Sequence, residues 1–157
     1  MSALPTSPRR RSLCALGLLA LGGRAWSAGQ SLPRSASLRD ELAVALKARQ
    51  PLVVMVSLHR CPWCETVRNN YLAPMHAQEG LPVVQVDMRS SAATRNARGG
   101  ATTHDALVRG WGVRIAPTLL FMGPGGTELA ERLVGGVNDF YAAQLDRRLA
   151  QARATLA

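Results

Sequence analysis

Between residues 51 and 64 the chain reads Pro51-Leu52-Val53-Val54-Met55-Val56-Ser57-Leu58-His59-Arg60-Cys61-Pro62-Trp63-Cys64, and few folds accommodate that run. Leu52 to Val56 has the length and β-branched content of a buried strand. Pro62 suits the first position of a helix, where its missing N–H would be unpaired anyway. The run therefore predicts strand, turn and helix, with Cys61 at the helix entrance and Cys64 one turn inside. Unpaired N–H groups at a helix N-terminus carry partial positive charge, which favours a thiolate over a thiol.

The chain has three cysteines, and the third lies in what reads as a secretory leader. Residues 1–27 combine a positive stretch, Arg9-Arg10-Arg11, with an apolar one from Leu13 to Gly23. Ala25-Trp26-Ser27 then offers small residues at both positions inspected by a signal peptidase. Roughly eleven apolar residues fall short of the ~20 that span a bilayer, so removal near Ser27 is expected rather than a stable membrane span. Arg10-Arg11-Ser12-Leu13 fits a twin-arginine export signal loosely, beside ordinary Sec export. Cys14 leaves with the leader. The mature chain then holds Cys61 and Cys64 alone, in an oxidising compartment such as a periplasm.

The formal charge of +9 includes Arg9, Arg10, Arg11 and Arg24 of the leader, leaving +5 for the rest (9 − 4). Lys47 is the only lysine, and the later arginines are scattered singly among few aromatics. A nucleic-acid groove needs a basic stripe, often with stacking rings. Neither is present, and nucleic acid is excluded as a partner.

Residues 28–37 read as a polar linker and 38–155 as one folded domain. Ser37-Leu38-Arg39-Asp40 resembles a capping box and opens a helix with Leu38, Leu42, Ala45 and Leu46 on one face. The strand Leu52–Leu58 follows, then the cysteine helix, in which Cys64, Val67 and Tyr71 share a stripe. Pro74 is expected to stop or kink that helix. Leu81–Asp87 reads as a second strand, parallel to the first because a helix joins them. Residues 89–103 are small and polar, long for a connection, and read as a loop or a short helix. A helix from His104 to Arg109 leads to a strand ending at Met122. Gly123-Pro124-Gly125-Gly126 turns the chain into an antiparallel strand, Thr127–Val134. A last helix, capped by Asn138, buries Tyr141, Leu145 and Leu149. The class is α/β, a central mixed four-stranded sheet flanked by helices.

This arrangement resembles the thioredoxin fold over most of residues 37–155. The likeness rests on the strand leading into Cys61-Pro62-Trp63-Cys64, on Val83-Val84-Gln85-Val86-Asp87, and on Trp111-Gly112-Val113-Arg114-Ile115-Ala116-Pro117-Thr118 with the later glycine pairs. It implies a cis bond before Pro117, beside the cysteines, with Ala116 free to pair with an extended substrate. It also marks departures: Met55 stands where thioredoxins bury an acid, and Arg60 where they place a tryptophan. The likeness implies an exported thiol–disulfide oxidoreductase acting on cysteine-containing proteins, needing no dissociable cofactor. A membrane or soluble redox partner would recycle the pair.

Other readings stand beside that one. Zinc needs four ligands, and no second cysteine pair survives the leader. Cu(I) suits soft thiolates, so Cys61, Cys64 and His59 define a copper-handling alternative; a thioredoxin-like domain that binds without turnover is another. His59 reads equally as a group charging near the thiolate or as a solvated turn residue. Trp63 reads as an apolar lip for substrate. Glu65 is accounted for by the helix dipole, and His76 and His104 by core or surface roles.

Overall fold

A computed structural model describes residues 31–136 and 139–157 of the chain. The leader and Asn138, expected to cap the last helix, lie outside the described residues.

The sheet is built on β1 (Leu52–Ser57), in which all six residues are buried. Such a strand is covered on both faces, which is why it reads as an unbroken apolar run. Strand β2 (Val83–Asp87) runs parallel to it with Val53 opposite Val83 and Ser57 opposite Asp87. On its other side β5 (Thr118–Met122) pairs antiparallel, and β6 (Glu128–Val134) pairs antiparallel with β5, giving the order β2-β1-β5-β6. Alternate residues of β1 feed two cores. Val53 and Met55 pack with Cys64, Val67, Leu119, Phe121 and Tyr141. Val54 and Val56 pack with Leu38, Leu42, Leu107, Val108 and Leu120. The first layer holds the cysteine helix and α5 (Tyr141–Leu156); the second holds α1 (Leu38–Lys47) and α4 (His104–Gly110).

The cysteine helix has three parts: α2 (Pro62–Val67), a π-helical segment Arg68–Leu72, and α3 (Ala73–Glu79). Of the two outcomes expected at Pro74, a stop does not occur: the helix runs on through it. The Ala73 N–H reaches back five residues to the Arg68 carbonyl. This wider turn precedes Pro74, whose ring would otherwise press on the carbonyl four residues back. Termination falls at Gly80, left-handed at φ 69°. The extra residue also breaks the expected stripe: Leu72 is fully buried, while Tyr71 is half-buried and tilts onto Tyr141 with ring centroids 5.0 Å apart. Burial, then the neighbouring Tyr71, raises the pKa of the Tyr141 phenol above its ordinary value.

Three further differences concern edges. At the start of α1 the Ser37 hydroxyl accepts from the Asp40 N–H at 3.4 Å, but the reciprocal carboxylate is Glu41, not Asp40. Its Oε1 accepts from the N–H groups of Ala36 and Ser37 at 2.8 and 3.1 Å. Residues 32–35, read as linker, dock on the sheet. Leu32 enters the first core, and Pro33 and Ser35 exchange backbone hydrogen bonds of 2.8 and 2.9 Å with Gln85. Residues 89–103 form neither loop nor helix but a small hairpin, β3 (Ala93–Arg95) with β4 (Ala101–Thr103). Asn96 holds its turn, its Oδ1 accepting from the N–H groups of Arg98 and Gly100 at 3.0 Å each. Two three-residue strands rich in Ala and Thr carry too little alternation to be read from sequence.

Buried His104 ties these pieces together. Its Nδ1 lies 3.0 Å from the Asp87 N–H, which can only donate, so the ring proton sits on Nε2 and is donated to the Ser35 carbonyl at 2.8 Å. His104→Ala should orphan two buried backbone groups and cost about 2–5 kcal/mol. A denaturation midpoint within about 0.5 kcal/mol of the parent would contradict that role.

Candidate active site

Cys61 is the N-cap of α2, in extended conformation (φ −100°, ψ 106°), with Pro62 following at the first helical position. Its Sγ accepts from the Cys64 N–H at 3.2 Å, and its carbonyl accepts from the Glu65 N–H at 3.1 Å. The two cysteines form a disulfide with Cα atoms 5.2 Å apart. The cap position leaves Cys61 half-buried, whereas Cys64, one turn on, faces the first core and has no exposure. Met55 belongs to the same core, equally buried. The inner sulfur therefore rests among apolar groups.

On one side of Cys61 stands the strand entrance to β5. The Ala116–Pro117 peptide bond is cis, and the Ala116 carbonyl oxygen lies 3.9 Å from Cys61 Sγ. The segment is pinned from behind: the Gly135 N–H donates to the Pro117 carbonyl at 2.9 Å, and the Thr118 hydroxyl to the Ile115 carbonyl at 2.7 Å. Trp63 and Ile115 are exposed by 56% and 54%, so both apolar side chains face outward beside the disulfide. The Trp63 ring lies against Gly136, where a Cβ would come within 2.8 Å of its Cδ2. Only glycine leaves room for the ring there.

On the other side Cys61 borders a polar cleft of about 820 Å³ beyond the C-terminal ends of β1 and β2. Arg68, on the π segment, donates to Gln85 Oε1 at 2.9 Å and Ser57 Oγ at 3.1 Å. Gln85 Nε2 donates to Asp87 Oδ1 at 2.6 Å, and Arg34 pairs with Asp87 Oδ2 at 3.0 Å. His59 lines the same cleft from the turn; it is exposed and makes no hydrogen bond among the described residues.

Of the residues singled out in the sequence, Cys61, Cys64, Pro62, Trp63, Ala116 and Pro117 converge, while His59 stands on the cleft rim. Gly136 and the Arg68–Ser57–Gln85–Asp87 network were missed. The available signal was a polar residue on an otherwise apolar strand: Ser57 closing β1, Gln85 and Asp87 within β2. Among the described residues no group of three or more His, Cys, Asp or Glu side chains could hold a metal ion. No described helix is long and apolar enough to cross a membrane.

A cystine at a helix N-terminus, beside a cis-proline that leads into a strand of a mixed four-stranded sheet, defines a thioredoxin-like oxidoreductase. Residues 38–153 match the family described as a thioredoxin-like domain, and the chain belongs to it. Among solved structures it is similar to the thioredoxin NaTrxh from Nicotiana alata, with 16% identity, 76% of this chain and 96% of that one covered, and a TM-score of 0.51. It is similar to mitochondrial thioredoxin 3 from Saccharomyces cerevisiae at 16% identity, 79% and 98% coverage and a TM-score of 0.51. It is also similar to a DsbH oxidoreductase at 15% identity, 92% and 95% coverage and a TM-score of 0.52. At such identities these likenesses concern the fold. No curated protein shows significant sequence similarity to the chain.

Proposed function

We propose that the protein is an exported thiol–disulfide oxidoreductase that exchanges disulfides with cysteines of other proteins through Cys61 and Cys64. The observation that carries the reading is the asymmetry of the pair: Cys61 half-exposed at a helix N-cap, 3.9 Å from the carbonyl before cis-Pro117, and Cys64 fully buried behind it. Export rests on the leader read at residues 1–27, with cleavage near Ser27, and the periplasm is the compartment it indicates.

The reduced protein attacks with the Cys61 thiolate, favoured by the helix terminus. A Cys61–substrate disulfide forms, the substrate S–S bond breaks, and the leaving thiolate takes a proton from solvent. Cys64 then gives up its proton and attacks the Cys61 sulfur. This closes the Cys61–Cys64 disulfide and releases the second substrate thiol. Two electrons and two protons have passed to the substrate, and the same path backward oxidises a dithiol. The pair itself carries the electrons, so a redox partner, membrane-bound or soluble, must recycle it. Ala116 offers backbone to an extended substrate because Pro117 lacks an N–H, and Trp63 supplies an apolar lip.

Cys64→Ser should accumulate mixed disulfides with substrate proteins in the exported compartment, visible as thiol-sensitive bands on non-reducing gels. A Cys64→Ser protein that captures nothing there would overturn the reading. Direction follows from the potential of the mature protein against glutathione: near about −270 mV it reduces, near about −120 mV it oxidises.

A further inference from the structure

The cleft beside Cys61 is not used by the exchange steps themselves. It lies outside the carboxyl ends of β1 and β2, adjacent parallel strands. In open α/β sheets ligands are received at such a place. Its volume of about 820 Å³ is that of a ligand site.

The charge in it is uneven. Arg34, Arg60, Arg68 and Arg89 line it against two carboxylates, Glu65 and Asp87. Asp87 is engaged by Arg34. Arg68 bonds only neutral oxygens, those of Gln85 and Ser57. Arg60, Arg68 and Arg89 form no ion pair among the described residues. Arg60 and Arg89 hold left-handed backbone, φ 55° and 58°, which glycine or asparagine would adopt with less strain. Each follows the end of a strand, Arg60 three residues beyond β1 and Arg89 two beyond β2.

We propose that this cleft recognises carboxylates on the polypeptide substrate, so that the protein prefers disulfides whose cysteine is flanked within a few residues by Asp or Glu. The inference rests on the exchange reading above and names its substrate class. Substrate backbone lies along Ala116 on one side of Cys61, and acidic side chains reach Arg60, Arg68 and Arg89 on the other. The polar lining disfavours an apolar segment, and a basic one would meet three guanidiniums that have no carboxylate partner among the described residues.

The test uses the full mature chain, reduced, with three disulfide peptides identical except for Glu, Gln or Lys flanking the cysteine. The Glu peptide should react at least about tenfold faster than the Lys peptide at low salt, with the ratio shrinking as ionic strength rises. Arg60→Asn with Arg89→Asn, both tolerant of left-handed backbone, should lower the ratio at least about threefold, with Arg68 keeping the remainder, and Arg89→Asp should lower it on its own. A ratio near one in the parent, or one unchanged by these variants, overturns the inference while leaving the exchange reading intact. Oxidised glutathione reacting with the same arginine dependence as the Glu peptide would overturn the assignment to polypeptide. A parent inert toward all three peptides overturns the exchange reading and this one together.

Discussion

Cys61→Ser should abolish disulfide exchange, a loss on the order of 10³-fold or more, as expected when the nucleophile of a covalent mechanism is removed. Cys64→Ser should behave differently: it should complete the first attack and stall as a mixed disulfide. The asymmetry follows from placement. The Cys61 sulfur stands at the N-cap, accepting the Cys64 N–H at 3.2 Å, and is the half-exposed member of the pair. A hydroxyl there keeps the cap but ionises far less readily. Cys64 has no exposed surface and meets only a sulfur already delivered to Cys61. Single-turnover reaction of each reduced variant with a disulfide-bonded peptide separates the two. Equal residual rates for both variants would contradict the assigned order of attack.

Met55→Asp should destabilise the fold by about 3–5 kcal/mol at neutral pH, because it places a carboxyl in an apolar core without a partner. Met55 has no exposed surface and shares its core with Val53, Val67, Leu119 and Cys64. Burial raises the pKa of the new group above its unfolded value of about 3.9, so the folded state holds the proton more tightly. The penalty is therefore fully present above the raised folded pKa and fades as pH falls toward the unfolded one. Denaturation midpoints at pH 8 and pH 5 should show the gap to the parent narrowing on acidification. A gap that is absent, or that widens, would mean the site already accommodates an acid. The polar groups near the cysteines lie elsewhere, in the cleft on the Cys61 side.

The sequence made much of this legible. The apolar run Leu52–Val56 and Pro62 after Cys61 are local signals, each tied to one backbone requirement, and both sit where read; the cis bond before Pro117 was legible only through the family likeness. What escaped depends on contacts distant in the chain. Gly136 matters because of Trp63, seventy-three residues earlier. His104 matters because Ser35 and Asp87 both present backbone groups to its ring. Residues 32–35 look like linker in composition, and only Gln85 reveals them as part of the sheet. The β3–β4 hairpin is too short for periodicity to register.

The π segment Arg68–Leu72 separates two jobs that one continuous helix would have to share. Ahead of it, Cys61 caps the helix at the rim and helical phase turns Cys64 and Val67 inward; at its end and just behind it, Leu72 and Ala73 are seated in the core. One residue fewer would merge the phases and turn everything from Ala73 onward by about 100° about the axis. The redox pair and its packing are thus set on two independent rulers, and a substitution that re-seats one need not re-aim the other.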